Sequence, residues 1–276
     1  MKTLNYLNFV ILSLLIAACS TQPAIQPPVA EKVPYEVFSK RTDNYYWMRL
    51  SDDQKNASVP DEQTQKVVDY LNAENEYTKA VLKHTDSLQK RLFRELTGRI
   101  KQNDESVPYF DNGYYYYSKF VEGKEYPMYF RKKGSLEAAE ELLLDVNKLA
   151  EGQSYCSVTG LSVSKDNRLL AYGVDFVSRR RYSINFIDLS SGSLLPDKIE
   201  NTTGNLVWAA DNRTLFYTTK DPETLRSDRV KKHKLGSPVE NDREVFFEAD
   251  ETFSVYVTET KSRKYIIIHS DQTLST

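Results

Sequence analysis

A chain of 276 residues, 40% hydrophobic and 28% charged, has room for one large domain or two ordinary ones and reads as soluble and globular over most of its length. A formal net charge of −2 gives no global pull toward nucleic acid or an anionic surface, so no nucleic-acid partner is expected. Three histidines, His84, His233 and His269, stand in no zinc-like spacing, so neither a metal nor another cofactor is expected.

The first stretch, "MKTLNYLNFVILSLLIAACS", carries Lys2 and then an apolar run from Leu7 to Ala18, too short to span a bilayer comfortably and suited to a secretory signal. It stops at Ile16-Ala17-Ala18-Cys19, which resembles a bacterial lipobox. A lipoprotein signal peptide over 1–19, lipidation of Cys19 and attachment to the cell envelope without a spanning helix are therefore expected. An ordinary signal peptide with a chance cysteine, or a buried apolar strand, is the plainer alternative. Ser20 stands where an aspartate retains many lipoproteins at the inner membrane, which points toward the outer membrane. With Cys19 used for lipidation, Cys156 has no disulfide partner. Residues 20–34 are rich in Pro, Ala and Gln and read as a flexible tether.

A helical segment is expected within 35–103. Val67, Leu71, Val81, Leu88, Leu92, Phe93, Leu96 and Ile100 fall on three- and four-residue steps. Pro60-Asp61 suits a first turn, and "HTDS" at 84–87 offers Thr85 or Asp86 as the cap of a second helix. The apolar face of this pair needs a cover that the tether cannot supply.

From 104 to 276 the character is all-β: short β-branched or aromatic runs separated by Asp, Asn, Gly, Ser or Pro, in a chain with 19 tyrosines. "DNRLLAY" at 166–172 returns as "DNRTLFY" at 211–217. "DNGYYYY" begins at Asp111, and "KSRKYIII" is a decayed copy around Ser262, so the spacings are 55, 45 and 51 residues. That period is the signature of β-propeller blades, here near 104–149, 150–200 and 201–249 with the opening of a fourth. Generic hairpins in a sandwich are the alternative. The fold class is thus mainly β, an incomplete propeller of about three and a half blades preceded by a helical segment.

Tempting site motifs have plain readings. "GLSVS" at 160–164 approximates Gly-x-Ser-x-Gly but ends in Ser164 and lies among strands with no helix after it. "SRRRYS" (178–183) and "RVKKHK" (229–234) read as solvated faces or loops, the tyrosines at 114–117 as blade packing, and Cys156 as a buried inert thiol.

"DNYYWMRL" (43–50), "VVDYLNAENEYTKAVL" (67–82), "LFRELTGRIKQNDESVPYFDNGYYYYSKFVEGKEYPMYFRKK" (92–133), "LLLDVNKLAEGQSY" (143–155), "VSKDNRLLAYGVD" (163–175) and "WAADNRTLFYTTKD" (208–221) together resemble the N-terminal part of a prolyl oligopeptidase family serine peptidase, most of all the oligopeptidase B branch. The resemblance covers roughly 35–276. It implies a seven-bladed propeller capping a C-terminal α/β-hydrolase domain, with short peptides as substrates, cut after Lys or Arg. It also implies that the helices at 61–101 pack on the hydrolase domain. The family's serine, aspartate and histidine come from that C-terminal domain, so no catalytic residue carries over and the chain is expected to be an inactive N-terminal fragment. A propeller-type binding or scaffold lipoprotein with no enzymatic activity is the competing expectation.

Overall fold

The computed structural model describes residues 25–38 and 40–275. The signal segment, Cys19 and the start of the tether lie outside the described residues. Among the described residues no helix is long and apolar enough to cross a membrane. The chain divides into two compact units, one up to Ile100 and one from Lys101 onward.

In the first unit the latter part of the tether span is held in place. Val33 N donates to Asn44 O at 2.9 Å, Trp47 Nε1 donates to Glu31 O at 3.0 Å, and Lys66 pairs with the Glu31 carboxylate. Glu31 and Val33 of that span are therefore anchored, against the flexibility its composition suggests. A small hairpin, β1 (Tyr35–Val37) and β2 (Arg41–Asp43), leads to α1 (Asp52–Asn56), which is opened by a reciprocal Ser51/Gln54 capping box. Helix α2 (Glu62–Leu82) begins at Asp61, whose carboxylate accepts from Thr64 N at 2.7 Å. The break before α3 (Asp86–Gly98) falls where the sequence puts it but is made differently. Thr85 holds helical dihedrals and turns its hydroxyl back to Leu82 O, so the junction is one tightened 3-10 turn over Lys83–Thr85. No side-chain cap forms because the helical backbone never stops. Phe93 and Ile100 remain 67% and 62% exposed, so the apolar face is uncovered within this unit.

The second unit is a run of antiparallel blades. Strands β3 (Asp104–Glu105) and β4 (Tyr109–Asp111) both pair with β5 (Tyr114–Phe120), followed by β6 (Met128–Lys133) and β7 (Glu140–Asp145). A short helix α4 (Val146–Leu149) leads on to β8 (Ser157–Val163), β9 (Leu169–Asp175), β10 (Tyr182–Asp188), β11 (Ser193–Trp208), β12 (Thr214–Lys220), β13 (Ser227–Lys234) and β14 (Arg243–Phe247), which form one seven-stranded sheet. Strand β11 serves two blades. Its residues 193–199 pair with β10 as the outer edge of the second blade, and 206–208 pair with β12 as the inner edge of the third. A β-ribbon of β15 (Ser254–Glu259) and β16 (Ile266–Asp271) opens the fourth.

Three apolar cores lie at the three blade interfaces. Tyr116, Leu144, Leu170 and Tyr172 fill the first, Ile184, Phe186, Trp208 and Leu215 the second, and Val207, Val230, Val255 and Val257 the third. A blade strand is covered on both faces, so it reads as an apolar run and not as strict alternation. β9 is the clearest case: Leu170, Tyr172 and Val174 point to one core and Ala171 to the next. Where β11 crosses between blades it passes so close to β8 that no side chain fits. Gly160 (φ +63°) and Gly204 (φ +79°) meet there, and a Cβ on Gly160 would stand 2.0 Å from Gly204 O.

Candidate functional site

The repeated phrases are the turns joining each blade's innermost strand to its second. Asn112, Asn167, Asn212 and Arg263 occupy equivalent places with φ of 46°, 63°, 56° and 57°. Asparagine tolerates this left-handed backbone because its short side chain bonds locally; arginine in the fourth copy is the departure. The four turns are wired together. Asn112 Nδ2 donates to Lys165 O at 2.8 Å, Asn167 Nδ2 donates to Asn112 O at 3.2 Å, and Asp166 N donates to Asn212 Oδ1 at 3.0 Å. Lys165 Nζ donates to Arg263 O at 3.1 Å, and the Arg263 guanidinium pairs with Asp111. Buried Arg131 braces the second turn, donating to Asn167 O at 3.0 Å and to Glu141 at 2.7 Å over the Tyr114 ring.

Behind this ring lies a cavity of about 330 Å³ where β4, β8, the end of β11 and β15 come together. Tyr109, Tyr116 and Trp208 give it an aromatic wall; Asp111, Lys165, Glu259 and Arg263 give it an ionic rim. Burial pushes the Tyr109 and Tyr116 phenols up, so they stay neutral hydrogen-bonding groups. Lys165 and Glu259 pair at 2.5 Å across the rim. Asn167→Ala should lower stability by about 1–2 kcal/mol through the left-handed backbone and the lost amide bonds. Asn167→Gly should be the milder change, because it keeps the backbone free; urea unfolding of the two variants orders them.

No acyl-transfer machinery is assembled among the described residues. Ser162 and Ser164 of "GLSVS" lie in and just after β8; Ser164 Oγ donates to Asp166 at 2.5 Å, and a hairpin follows in place of a helix. His84 is exposed, with Nδ1 against Val81 O. His269 Nε2 meets Thr258 Oγ1 at 2.7 Å, yet its ring is stacked on Tyr256 and no carboxylate holds its Nδ1.

His233 is the group the sequence hid. It stands inside the basic run "RVKKHK", but its side chain is fully buried, with Nδ1 2.8 Å from Asp242 and Nε2 3.2 Å from Asp197. Plain alternation along β13, regular in its pairing with β12, turns His233 to the face opposite Lys232 and Lys234, where Leu215 stands beside it. Tyr217 Oη donates to the second Asp242 oxygen at 2.7 Å, and Gly236 N donates to Asp197 at 2.6 Å. With a carboxylate on each nitrogen, His233 has no nitrogen left to serve Ser237, whose hydroxyl donates to Lys234 O. The Ser-His-Asp grouping here is a clamp and not a triad. Cys156 is buried, and burial followed by the Asp175 charge pushes its thiol up, the setting of an unreactive cysteine. The tyrosine run divides as blade packing requires: Tyr116 enters the first core, while Tyr117 stacks on Phe130 with ring centroids 5.9 Å apart.

Comparison with known proteins converges on one family. Residues 27–276 match the model described as prolyl oligopeptidase, N-terminal β-propeller domain. The chain is 42% identical to dipeptidyl aminopeptidase BI of Pseudoxanthomonas mexicana, over 94% of this chain and 37% of that protein. It is 32% identical to protease 2 of Moraxella lacunata, over 88% of this chain and 35% of that protein. Among solved structures, oligopeptidase B from Leishmania major superposes with a TM-score of 0.78 at 31% identity, over 90% of this chain and 36% of that one. The chain thus spans a little over a third of the length of the relatives it matches.

Proposed function

The chain belongs to the prolyl oligopeptidase family through its N-terminal β-propeller domain, and we propose that it is the propeller-bearing part of an oligopeptidase B-like serine peptidase. In this reading the whole enzyme hydrolyses short peptides after Lys or Arg through an acyl-enzyme. Its serine, aspartate and histidine come from a C-terminal α/β-hydrolase domain that covers the apolar face of α2 and α3. Cys19 carries a lipid that holds the enzyme at the cell envelope of a bacterium, on the outer membrane. The observation that carries the proposal is the match of residues 27–276 to the family's propeller domain, a span that holds all four repeat turns.

The chain of residues 20–276 alone is expected to turn over neither a blocked Arg-p-nitroanilide nor an aminoacyl-Arg-p-nitroanilide with a free amine. Turnover abolished by a serine-directed reagent would overturn the claim of inactivity. A second reading is that the whole enzyme releases dipeptides from a free N-terminus, favoured by the 42% identity to a dipeptidyl aminopeptidase. The same two substrates, given to the native protein in membrane extracts, separate it from cleavage inside a peptide. A polypeptide ending at Thr276 in those extracts, forming a monodisperse oligomer, would favour a binding or scaffold lipoprotein instead. Labelled palmitate that enters the protein and is lost in Cys19→Ser would support the anchor.

A further inference from the structure

A pocket of about 300 Å³ opens on the third blade beside the His233 clamp, where Lys232, Lys234 and Arg243 share a lining with the Asn241 side chain. Lys232 on β13 is the direct cross-strand partner of Arg243 on β14. Like charges facing each other across a ladder destabilise it, so their pairing at a pocket mouth asks for an anion. The acids nearby are engaged by other donors, and Asp211 acts on Lys234 only at a distance. Asp242, the acid in the pocket wall, is taken up by His233 and Tyr217, and Asp197 is taken up by His233 and Gly236. Glu244 turns to Arg229 at 3.4 Å, and Asp211 bonds Arg213 N and both the backbone and hydroxyl of Thr214. Among the described residues Lys232, Lys234 and Arg243 enter no ion pair within 4 Å, and the side-chain amide of Asn241 has no hydrogen-bond partner, its backbone N donating to Pro238 O.

We propose that this pocket binds a phosphate group, with Arg243 and Lys232 gripping its oxygens from the two strands and Lys234 and Asn241 completing the contact. Three cations with one neutral donor suit a doubly charged head better than a single carboxylate, and the planar guanidinium fork matches two phosphate oxygens at once. The His233 clamp fixes the floor. It ties β13 to Asp242 at the foot of β14, so the two cation-bearing strands keep their register with the site empty. The phosphate belongs either to a free phosphorylated compound or to a lipid headgroup.

The test titrates the full chain with inorganic phosphate at constant ionic strength, chloride making up the balance, and follows heat of binding and the unfolding temperature. Phosphate should saturate and raise the unfolding temperature where chloride does not. Lys232→Gln and Arg243→Gln should each weaken binding by about tenfold, the loss of one charge-assisted contact. Lys232→Gln should also unfold no earlier than the parent without phosphate, because it removes a repulsion. A parallel arm offers vesicles of phosphatidylcholine with or without phosphatidylglycerol. Binding to the anionic vesicles that Arg243→Gln loses assigns the headgroup; saturation by inorganic phosphate without vesicle binding assigns a free compound. No saturation above chloride with either probe, or undiminished binding by the Lys232→Gln/Arg243→Gln variant, overturns the site.

Discussion

Gly160→Ala is expected to lower the unfolding free energy by about 4 kcal/mol or more, the range reached when a core backbone contact is broken. The new Cβ would lie 2.0 Å from the Gly204 carbonyl oxygen, and the obstacle is backbone, which cannot rotate aside. Either β8 or β11 must move, and β11 carries the pairing of two blades. The φ of +63° adds a further penalty of about 1–2 kcal/mol for any residue with a Cβ. Gly192→Ala is the control: its φ is +71°, but a Cβ there meets open space, so only the backbone penalty of about 1–2 kcal/mol applies. Urea unfolding followed by circular dichroism and Trp208 fluorescence compares the two. Equal midpoints would mean that the close passage of the strands is not what demands glycine.

His233→Ala should cost about 3–5 kcal/mol, because it strips the shared partner from two carboxylates whose side chains are 8% and 2% exposed. The loss is larger than that of one hydrogen bond, since two buried acids each lose one of their two donors, Tyr217 and Gly236 being all that remains to them. Asp197 lies in the second-blade half of β11 while His233 and Asp242 belong to the third blade, so the variant also loosens one blade from the next. A combined His233→Leu, Asp197→Asn, Asp242→Asn chain removes the charges together and should recover part of the stability lost in His233→Ala. Calorimetry decides between them; a combined variant less stable than His233→Ala would show that the clamp contributes through its ionic bonds and not through the penalty of orphaned acids.

Much of the fold was legible because the repeat has a backbone cause. Asn112, Asn167 and Asn212 recur since a tight turn into each second strand needs a residue that accepts positive φ, and the side-chain amide then reaches the neighbouring turn. The helices were legible from apolar spacing and from Pro60-Asp61, which mark the start, although Asp61 is the cap just ahead of the first turn and not a member of it. Thr85 misled because a capping residue type says nothing about whether the backbone actually leaves the helix. The single strand β11 was not legible: the link between the "YSINFIDL" and "LVWAA" runs looks like a loop of Pro, Asp, Asn and Gly, yet its ends are paired to different neighbours. His233 was not legible either, since a run of basic residues hides the alternation that turns it away from Lys232 and Lys234. The ionic rim of the cavity joins residues as distant as Asp111 and Arg263, a contact that no local pattern encodes.

The sharing of β11 has a consequence for cooperativity. In an array of separate hairpin sheets each repeat can open alone, and stability is a sum of units and interfaces. Here the second and third blades own halves of one sixteen-residue strand, so fraying one withdraws hydrogen-bond partners from the other. Their amides should exchange with solvent as a single foldon, slower than those of the β15–β16 ribbon, which pairs only with itself. The genetic repeat and the folding unit are therefore out of phase: a cut at residue 200, where the copied phrases would place a module boundary, falls inside the element that makes two modules one.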